Sequence, residues 1–398
     1  MKTALTLLPW LVGCDRVVRD DRACDRLAPV PSDDPADWDV PPGDYAPVVS
    51  EPRFVVPSDA LPVGTDTANN NVSLLVADDQ LFLAWRTAPT HFASAEAQMH
   101  VISSSDGGES WVHEHTIALG ADVREPQLIL WDGEVTLHFL ELGADPFAFD
   151  PRAVWRSTRC GPGDWTDERV EEGAQRVVWD VKLRDGRLLR TSYTGEHYGD
   201  GILEVHVEAS TDGGGTWGPV GTDPAYVGGN SEAAVEIVED GSLWTVTRNE
   251  DGDETGKGAM VCTAPAEDLG AWDCPAVSDP ERYDSPELLR HGDDLYLLAR
   301  RDVGGPFGED QGLLPYSTRP KRTALYRVEP TTRAVVHVVD VPGVGDTAFV
   351  QAVRTGPHSF LFANYTSPLD EPDISWIEGQ TSERGTAIYL ATLTFVPR

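Results

Sequence analysis

The chain has 398 residues, 31 Lys and Arg against 66 Asp and Glu, and a formal net charge of −35. An acidic excess of this size repels phosphate backbones and excludes nucleic acid as a partner. An apolar content of 40% suffices for a sizeable core, and 37 Gly with recurring Asp-Gly pairs point to short strands joined by tight turns.

The N-terminus reads as an export signal. Lys2 supplies a positive start, and Ala4 to Val12 is an apolar run too short to cross a bilayer as a helix. It ends in Leu11-Val12-Gly13-Cys14, which resembles the bacterial lipobox. The resemblance implies a signal peptide over residues 1–14, a lipid on Cys14, and a protein held at the membrane of the bacterial envelope, periplasmic or at the cell surface. Residues 15–50 alternate Pro29, Pro31, Pro35 and Pro41 with Asp33, Asp34, Asp37 and Asp39, and are expected to form a disordered tether. Export permits disulfides. Cys262 and Cys274 flank a turn-rich stretch and are expected to pair; Cys24 and Cys160 are left as a second, open pairing. No CxxC motif or His-rich cluster suggests a metal, and no cofactor is implied.

From residue 51 to 398 the sequence repeats a hairpin. In Ser231 to Arg248 an apolar strand runs into Asp240-Gly241, and a second strand returns. The pattern recurs from Asn70 to Arg86 around Asp78-Asp79, from Arg124 to Leu140 around Asp132-Gly133, and from Val177 to Tyr193 around Asp185-Gly186. It recurs again from Asp284 to Arg300 around Asp293-Asp294 and from Phe349 to Tyr365 around Thr355-Gly356. Six copies spaced by 52 to 65 residues fit the blades of an all-β, six-bladed propeller with long loops.

Two further segments, Ser104-Ser-Asp106-Gly-Gly108-Glu-Ser-Trp111 and Ser210-Thr-Asp212-Gly-Gly214-Gly-Thr-Trp217, share the pattern S-x-D-x-G-x-x-W. They resemble the Asp boxes, or BNR repeats, of sialidases. In such a turn the Asp accepts backbone N–H bonds, Gly allows a left-handed step and Trp packs between sheets. The resemblance covers about residues 50 to 398. It implies a glycoside hydrolase in which a Glu activates a nucleophilic Tyr, three Arg grip a carboxylate and an Asp serves as acid/base. Glu232 and Arg248, sixteen residues apart, resemble the family's Glu and second Arg, and Arg322 its third Arg. The nucleophile's position holds Phe349 and the first Arg's position holds Asn71. The Asp has no clear match between Thr87 and Gln98, where His91 and Glu96 are the polar residues.

Ordinary sialidase chemistry is therefore not implied. Inner strands of a propeller open toward one end of a central channel, where loops of every blade converge on the ligand. The residues opening the repeats give the candidate acids and bases Glu125, Asp180, Glu232 and Asp284. Arg86, Arg124, Arg248, Arg300 and Arg322, with His91, Asn71 and Phe349, are the candidate binding residues. Separated carboxylates can hydrolyse a glycoside through an activated water. The sequence thus points to a glycoside hydrolase acting on an acidic or modified glycan. The alternative is a glycan- or protein-binding propeller that has lost catalysis.

Overall fold

Each repeat folds as an antiparallel hairpin whose end residues meet. The computed structural model describes residues 24–28, 33–172, 175–199 and 202–398; Cys14 and the signal segment lie outside them. Asn70 pairs with Arg86, Arg124 with Leu140, Val177 with Tyr193 and Asp284 with Arg300. In the fourth repeat the Arg248 N–H donates to the Glu232 carbonyl at 2.8 Å. In the sixth, the Gln351–Ala363 pairing brings Phe349 level with Tyr365. Asp78-Asp79, Asp132-Gly133 and Asp185-Gly186 take positive φ at both central positions, the geometry that matches strand twist in a two-residue hairpin turn. The fifth turn falls on Gly292-Asp293, one residue earlier than the sequence suggests, because Gly292 supplies the left-handed residue at φ +58°. The sixth falls on Pro357-His358, just beyond Thr355-Gly356.

Six sheets result, one per repeat, and the molecule is a six-bladed β-propeller. Blade 1 runs Ala68–Ala77, Gln80–Ala88, Gln98–Ser104, Val112–Ile117 from the axis outward. Blades 2, 3, 4 and 5 begin with Asp122–Trp131, Val177–Arg184, Ala233–Ile237 and Asp284–His291, and blade 6 with Gln351–Gly356. The core lies between neighbouring sheets, as where Phe82, Val101 and Met99 of blade 1 meet Val135 and Leu137 of blade 2. The two S-x-D-x-G-x-x-W turns join the third and fourth strands of blades 1 and 3. In the first, Asp106 Oδ1 accepts the N–H of Glu109 at 3.0 Å and of Ser110 at 2.9 Å, and Ser104 Oγ accepts that of Gly108 at 2.7 Å. In the second, hydrogen bonds from Ser210 and Thr216 hold the Asp212 carboxyl down at about 2.

Blade 6 corrects the expected tether. Its third strand Ala387–Pro397 pairs with Tyr45–Val49 as the outermost strand, with Tyr45 opposite Pro397 and Val49 opposite Leu393, so segments far apart in the chain close the ring. Pro47 does not prevent this, because an edge strand need not donate from both sides. The acidic stretch before it is also fixed. Arg184 Nη1 donates to the Asp33 carbonyl at 3.2 Å, Arg354 N–H to Asp33 Oδ1 at 2.9 Å, and Asp185 N–H to Asp34 Oδ2 at 2.8 Å. Ala28 and Leu27 meet Asp78 and Gly133 through backbone bonds of 2.7 Å. These partners are at or beside hairpin tips, so residues 27–28 and 33–34 dock at the end of the propeller where the turns lie. Proline and aspartate bury little apolar area, but here the aspartates find cations and free N–H groups that order them. Cys24 bonds to Cys160, and Cys262 to Cys274.

Candidate functional site

The opposite end of the channel opens into a cleft of about 400 Å³. Its lining is set by a backbone irregularity repeated from blade to blade. Asn71, Glu125 and Ser285 lie in bulges of the inner strands of blades 1, 2 and 5, at φ of +48°, +51° and +53°; Ala348, just before blade 6, has φ +66°. Left-handed backbone at a non-glycine residue costs about 1 kcal/mol or more and marks segments bent for a purpose. A bulge at a sheet end re-aims side chains, and here it turns Asn71, Glu125 and Ser285 into the cleft beside Glu232 and Phe349.

Glu125 of blade 2 and Glu232 at the start of blade 4 both line this cleft and are held differently. Glu232 Oε1 accepts from Arg248 Nη1 at 2.6 Å, and Oε2 accepts the Ser285 N–H at 2.9 Å. Both of its oxygens are thus fixed. Glu125 has one such bond, from Asn71 Nδ2 to Oε2 at 2.9 Å. Burial and the negative charge of Glu232 push the Glu125 carboxyl up to about 8, against the pull of Arg124 and Asn71. Glu125 is therefore a protonated acid at neutral pH, next to a carboxylate locked in place by an arginine.

The arginines are committed to the protein itself. Arg86 and Arg124 share Asp122, at 2.8 and 2.6 Å. Arg86 is fully buried behind the cleft, where its Nη2 also donates to the Phe92 carbonyl at 2.9 Å. Arg248 contacts Glu232, Glu250 and Asp284, and Arg282 contacts Glu250 and Asp284 at 2.9 and 2.7 Å. Burial favours the neutral form of Glu250, but Arg248 and Arg282 hold it well below the ordinary carboxylate range. Arg300 donates from Nε to the Thr347 carbonyl at 2.7 Å, and its Nη1 approaches Asp284 only to 3.9 Å. Its Nη2 donates to Ser285 Oγ at 3.4 Å and to the Ala348 carbonyl at 3.3 Å, and the guanidinium lies over the Trp376 ring at 5.0 Å; of the arginines lining the cleft, Arg124 is more exposed than Arg300.

Of the residues singled out from sequence, Asn71, His91, Arg124, Glu125, Glu232, Arg248, Arg300 and Phe349 line this cleft. Asp180 does not. It lies further down the channel, 3.2 Å from Lys182 Nζ and accepting the Val235 N–H at 2.9 Å, so it braces neighbouring blades. Asp284 is fully buried as the shared counter-ion of the arginines, which removes it from the acids and bases. Arg322 lies on the third strand of blade 5, paired across from Arg301, and Arg300, on the second strand opposite Asp284, lines the cleft in its place. Arg86 positions the loop after the first hairpin rather than a ligand.

Sequence reading missed three tyrosines in the lining: Tyr193, Tyr198 and Tyr365. Tyr193 and Tyr365 close the third and sixth hairpins, in the column that holds Arg86, Arg248 and Arg300, so the repeat itself carried the signal. Tyr365 O–H donates to Asp346 Oδ1 at 3.0 Å. Burial and this carboxylate push its hydroxyl well above the ordinary phenol value. Tyr198, at φ +63°, brings its ring against His197 at 3.8 Å between centroids. The rim on that side is apolar, with Phe149 behind and Phe147 almost wholly exposed (97%).

No family model and no curated protein sequence matches the chain. Solved structures do. A protein of unknown function from Dyadobacter fermentans superposes with a TM-score of 0.59 at 15% identity, over 89% of this chain and 100% of that one. A Trypanosoma rangeli sialidase mutant displaying trans-sialidase activity gives 0.52 at 12% identity, over 90% of this chain and 59% of its own longer one. An α-L-arabinofuranosidase from Fusarium graminearum, in complex with an iminosugar inhibitor, gives 0.54 at 11% identity over 87% and 98%. Identities this low establish the fold: a six-bladed propeller of sialidase-like architecture, one that arabinofuran-cleaving enzymes share.

Proposed function

We propose that the protein is a glycoside hydrolase whose general acid is Glu125. The observation that carries this reading is the pair Glu125 and Glu232 in one cleft, one carboxyl kept protonated to about 8 partly by the other's charge. Environments that drive two neighbouring acids apart are how one site supplies both a proton and a fixed negative charge at neutral pH. Glu125 protonates the leaving oxygen. Glu232, with both oxygens held, stabilises the positive charge that develops on the sugar ring.

The substrate reading shifts from an acidic glycan toward a neutral one. A carboxylate-gripping site needs free guanidinium forks, whereas Arg86, Arg124 and Arg248 already sit on Asp122, Glu232, Glu250 and Asp284. The Nη1 of Arg300, with Asn71, suits a sugar hydroxyl, and the Phe147, Tyr198 and Trp376 rings suit a sugar face. Phe349 packs edge-on against Trp179 at 4.9 Å and belongs to the floor. Its lack of a hydroxyl favours hydrolysis without the nucleophile of ordinary sialidases.

The test is a panel of aryl glycosides that includes arabinofuranosides and sialosides. Release of the aryl group from at least one, reduced about 10²- to 10⁴-fold by Glu125→Gln and by Glu232→Gln, is the expected result. Binding of a glycan without release from any probe favours the non-catalytic alternative. We further propose that Cys14 carries a lipid that anchors the protein at the bacterial envelope, supported by the lipobox-like sequence and by two cystines that suit an exported protein. Palmitate incorporation in the expressing bacterium, abolished by Cys14→Ser, is the expected outcome; unlabelled wild type contradicts it.

A further inference from the structure

One wall of the cleft carries a hydrogen-bonded chain that the acid Glu125 does not use. His91 stands in the loop after the first hairpin. That loop is clamped by guanidinium groups: Arg86 donates to the carbonyls of Thr90 and Phe92, and Arg124 Nη2 to the carbonyl of His91 at 2.6 Å. The ring is held as firmly as the backbone. His91 Nδ1 is 2.7 Å from Asp346 Oδ2, and Asp346 is fully buried. The second oxygen of Asp346 takes the Tyr365 hydroxyl, and its own N–H donates to Ser367 Oγ at 3.0 Å. A carboxylate only accepts hydrogen bonds, so Nδ1 bears the hydrogen and Nε2 is bare. The 3.2 Å approach of Asn70 Nδ2 to the same nitrogen is then a contact and not a bond. The His91 side chain keeps 17% of its surface and lines the cleft.

A neutral imidazole whose far nitrogen is fixed by a buried carboxylate is the arrangement of a general base. We propose that His91, oriented by Asp346, is the proton acceptor of the reaction, and that the nucleophile is water. The step balances. The water oxygen bonds to the anomeric carbon while the bond to the leaving oxygen breaks. His91 Nε2 takes a proton from the water, and Glu125 gives its proton to the leaving oxygen. Release of the His91 proton and reprotonation of Glu125 restore the site. No covalent intermediate forms, so the anomeric configuration inverts. The charged groups facing His91 are Asp346, which favours its cation, and Arg124 and Arg86, which oppose it. Burial outweighs Asp346 and keeps His91 below its ordinary value, neutral when Glu125 is still protonated. Asp346 is a positioning residue, because it acts through the imidazole.

This inference rests on the hydrolase reading, and its test separates the two. The probe is the aryl glycoside that the panel identifies. His91→Gln is expected to lower kcat/KM by about 10²- to 10⁴-fold and to abolish the acidic limb of its pH profile. Asp346→Asn is expected to keep the fold and lose most of the rate. Proton NMR of the initial product is expected to show inversion. Independently of turnover, ¹⁵N NMR of the histidines is expected to show His91 as the Nδ1–H tautomer, a preference lost in Asp346→Asn. Retention of configuration, with Tyr365→Phe inactive and His91→Gln active, overturns the proposal and makes Tyr365 the nucleophile. An Nε2–H tautomer overturns it as well. Turnover in wild type that His91→Gln leaves intact removes this inference alone. No turnover with any probe removes the hydrolase reading and this inference together.

Discussion

The chemistry of the cleft turns on how unequally two glutamates are treated. Glu232 receives an arginine and a backbone N–H, while Glu125 receives one amide and its neighbour's charge. That inequality has a consequence for stability. Below the ordinary value of 4.5 Glu125 is protonated in folded and unfolded chains alike. Between 4.5 and about 8 the unfolded chain loses the proton and the folded one keeps it. The folded state then binds more protons, so the contribution of this group falls as pH rises through that window. Glu125→Gln is expected to flatten the slope. Urea unfolding midpoints at pH 5 and pH 8.5 should differ less in the variant than in the wild type, and an equal difference contradicts the assignment. At this scale the sequence was legible where spacing decided the outcome. Glu232 and Arg248, ends of one hairpin, do meet. It was silent on counter-ions: nothing in the order of residues says that Asp284 would be consumed by Arg248 and Arg282, or that Arg300 rather than Arg322 would face inward. Those outcomes depend on which side of a strand points to the axis and on contacts between blades.

At the scale of elements, bulges and cross-links do the positioning. The hairpins could be read from Asp-Gly pairs and apolar runs, because turn chemistry is local. The bulges at Asn71, Glu125 and Ser285 could not, since no residue there advertises a left-handed backbone. The N-terminal segment was misread for a related reason. Its composition lacks the apolar area to fold alone, yet Asp33 and Asp34 dock on Arg184 and on free N–H groups supplied by the propeller. Cys24 and Cys160 lie 136 residues apart, and Cys262 and Cys274 lie 12 apart. Loop-closure entropy grows with separation, so removing the first bridge should cost about 4–5 kcal/mol and the second about 3 kcal/mol. Denaturant unfolding of Cys24→Ser/Cys160→Ser and Cys262→Ser/Cys274→Ser is expected to rank them in that order. The reverse order would mean that the N-terminal segment gains little from its docking.

In the whole molecule the two ends of the channel are specialised. Hairpin tips and the N-terminal segment close one end, while inner-strand bulges and long loops open the other. The number of blades was legible because a repeat of seventeen-residue hairpins leaves few other architectures. The closure of blade 6 by Tyr45–Val49 was not, because it joins segments more than 300 residues apart. The reaction assigned to the cleft rests most directly on Glu125. The measurement that tests it is the pH dependence of kcat/KM for wild type and Glu125→Gln on an aryl glycoside that the protein cleaves. The account predicts a basic limb near pH 8 in the wild type that is absent from a variant slowed about 10²-fold or more. A variant as active as the wild type, with the same basic limb, would contradict it.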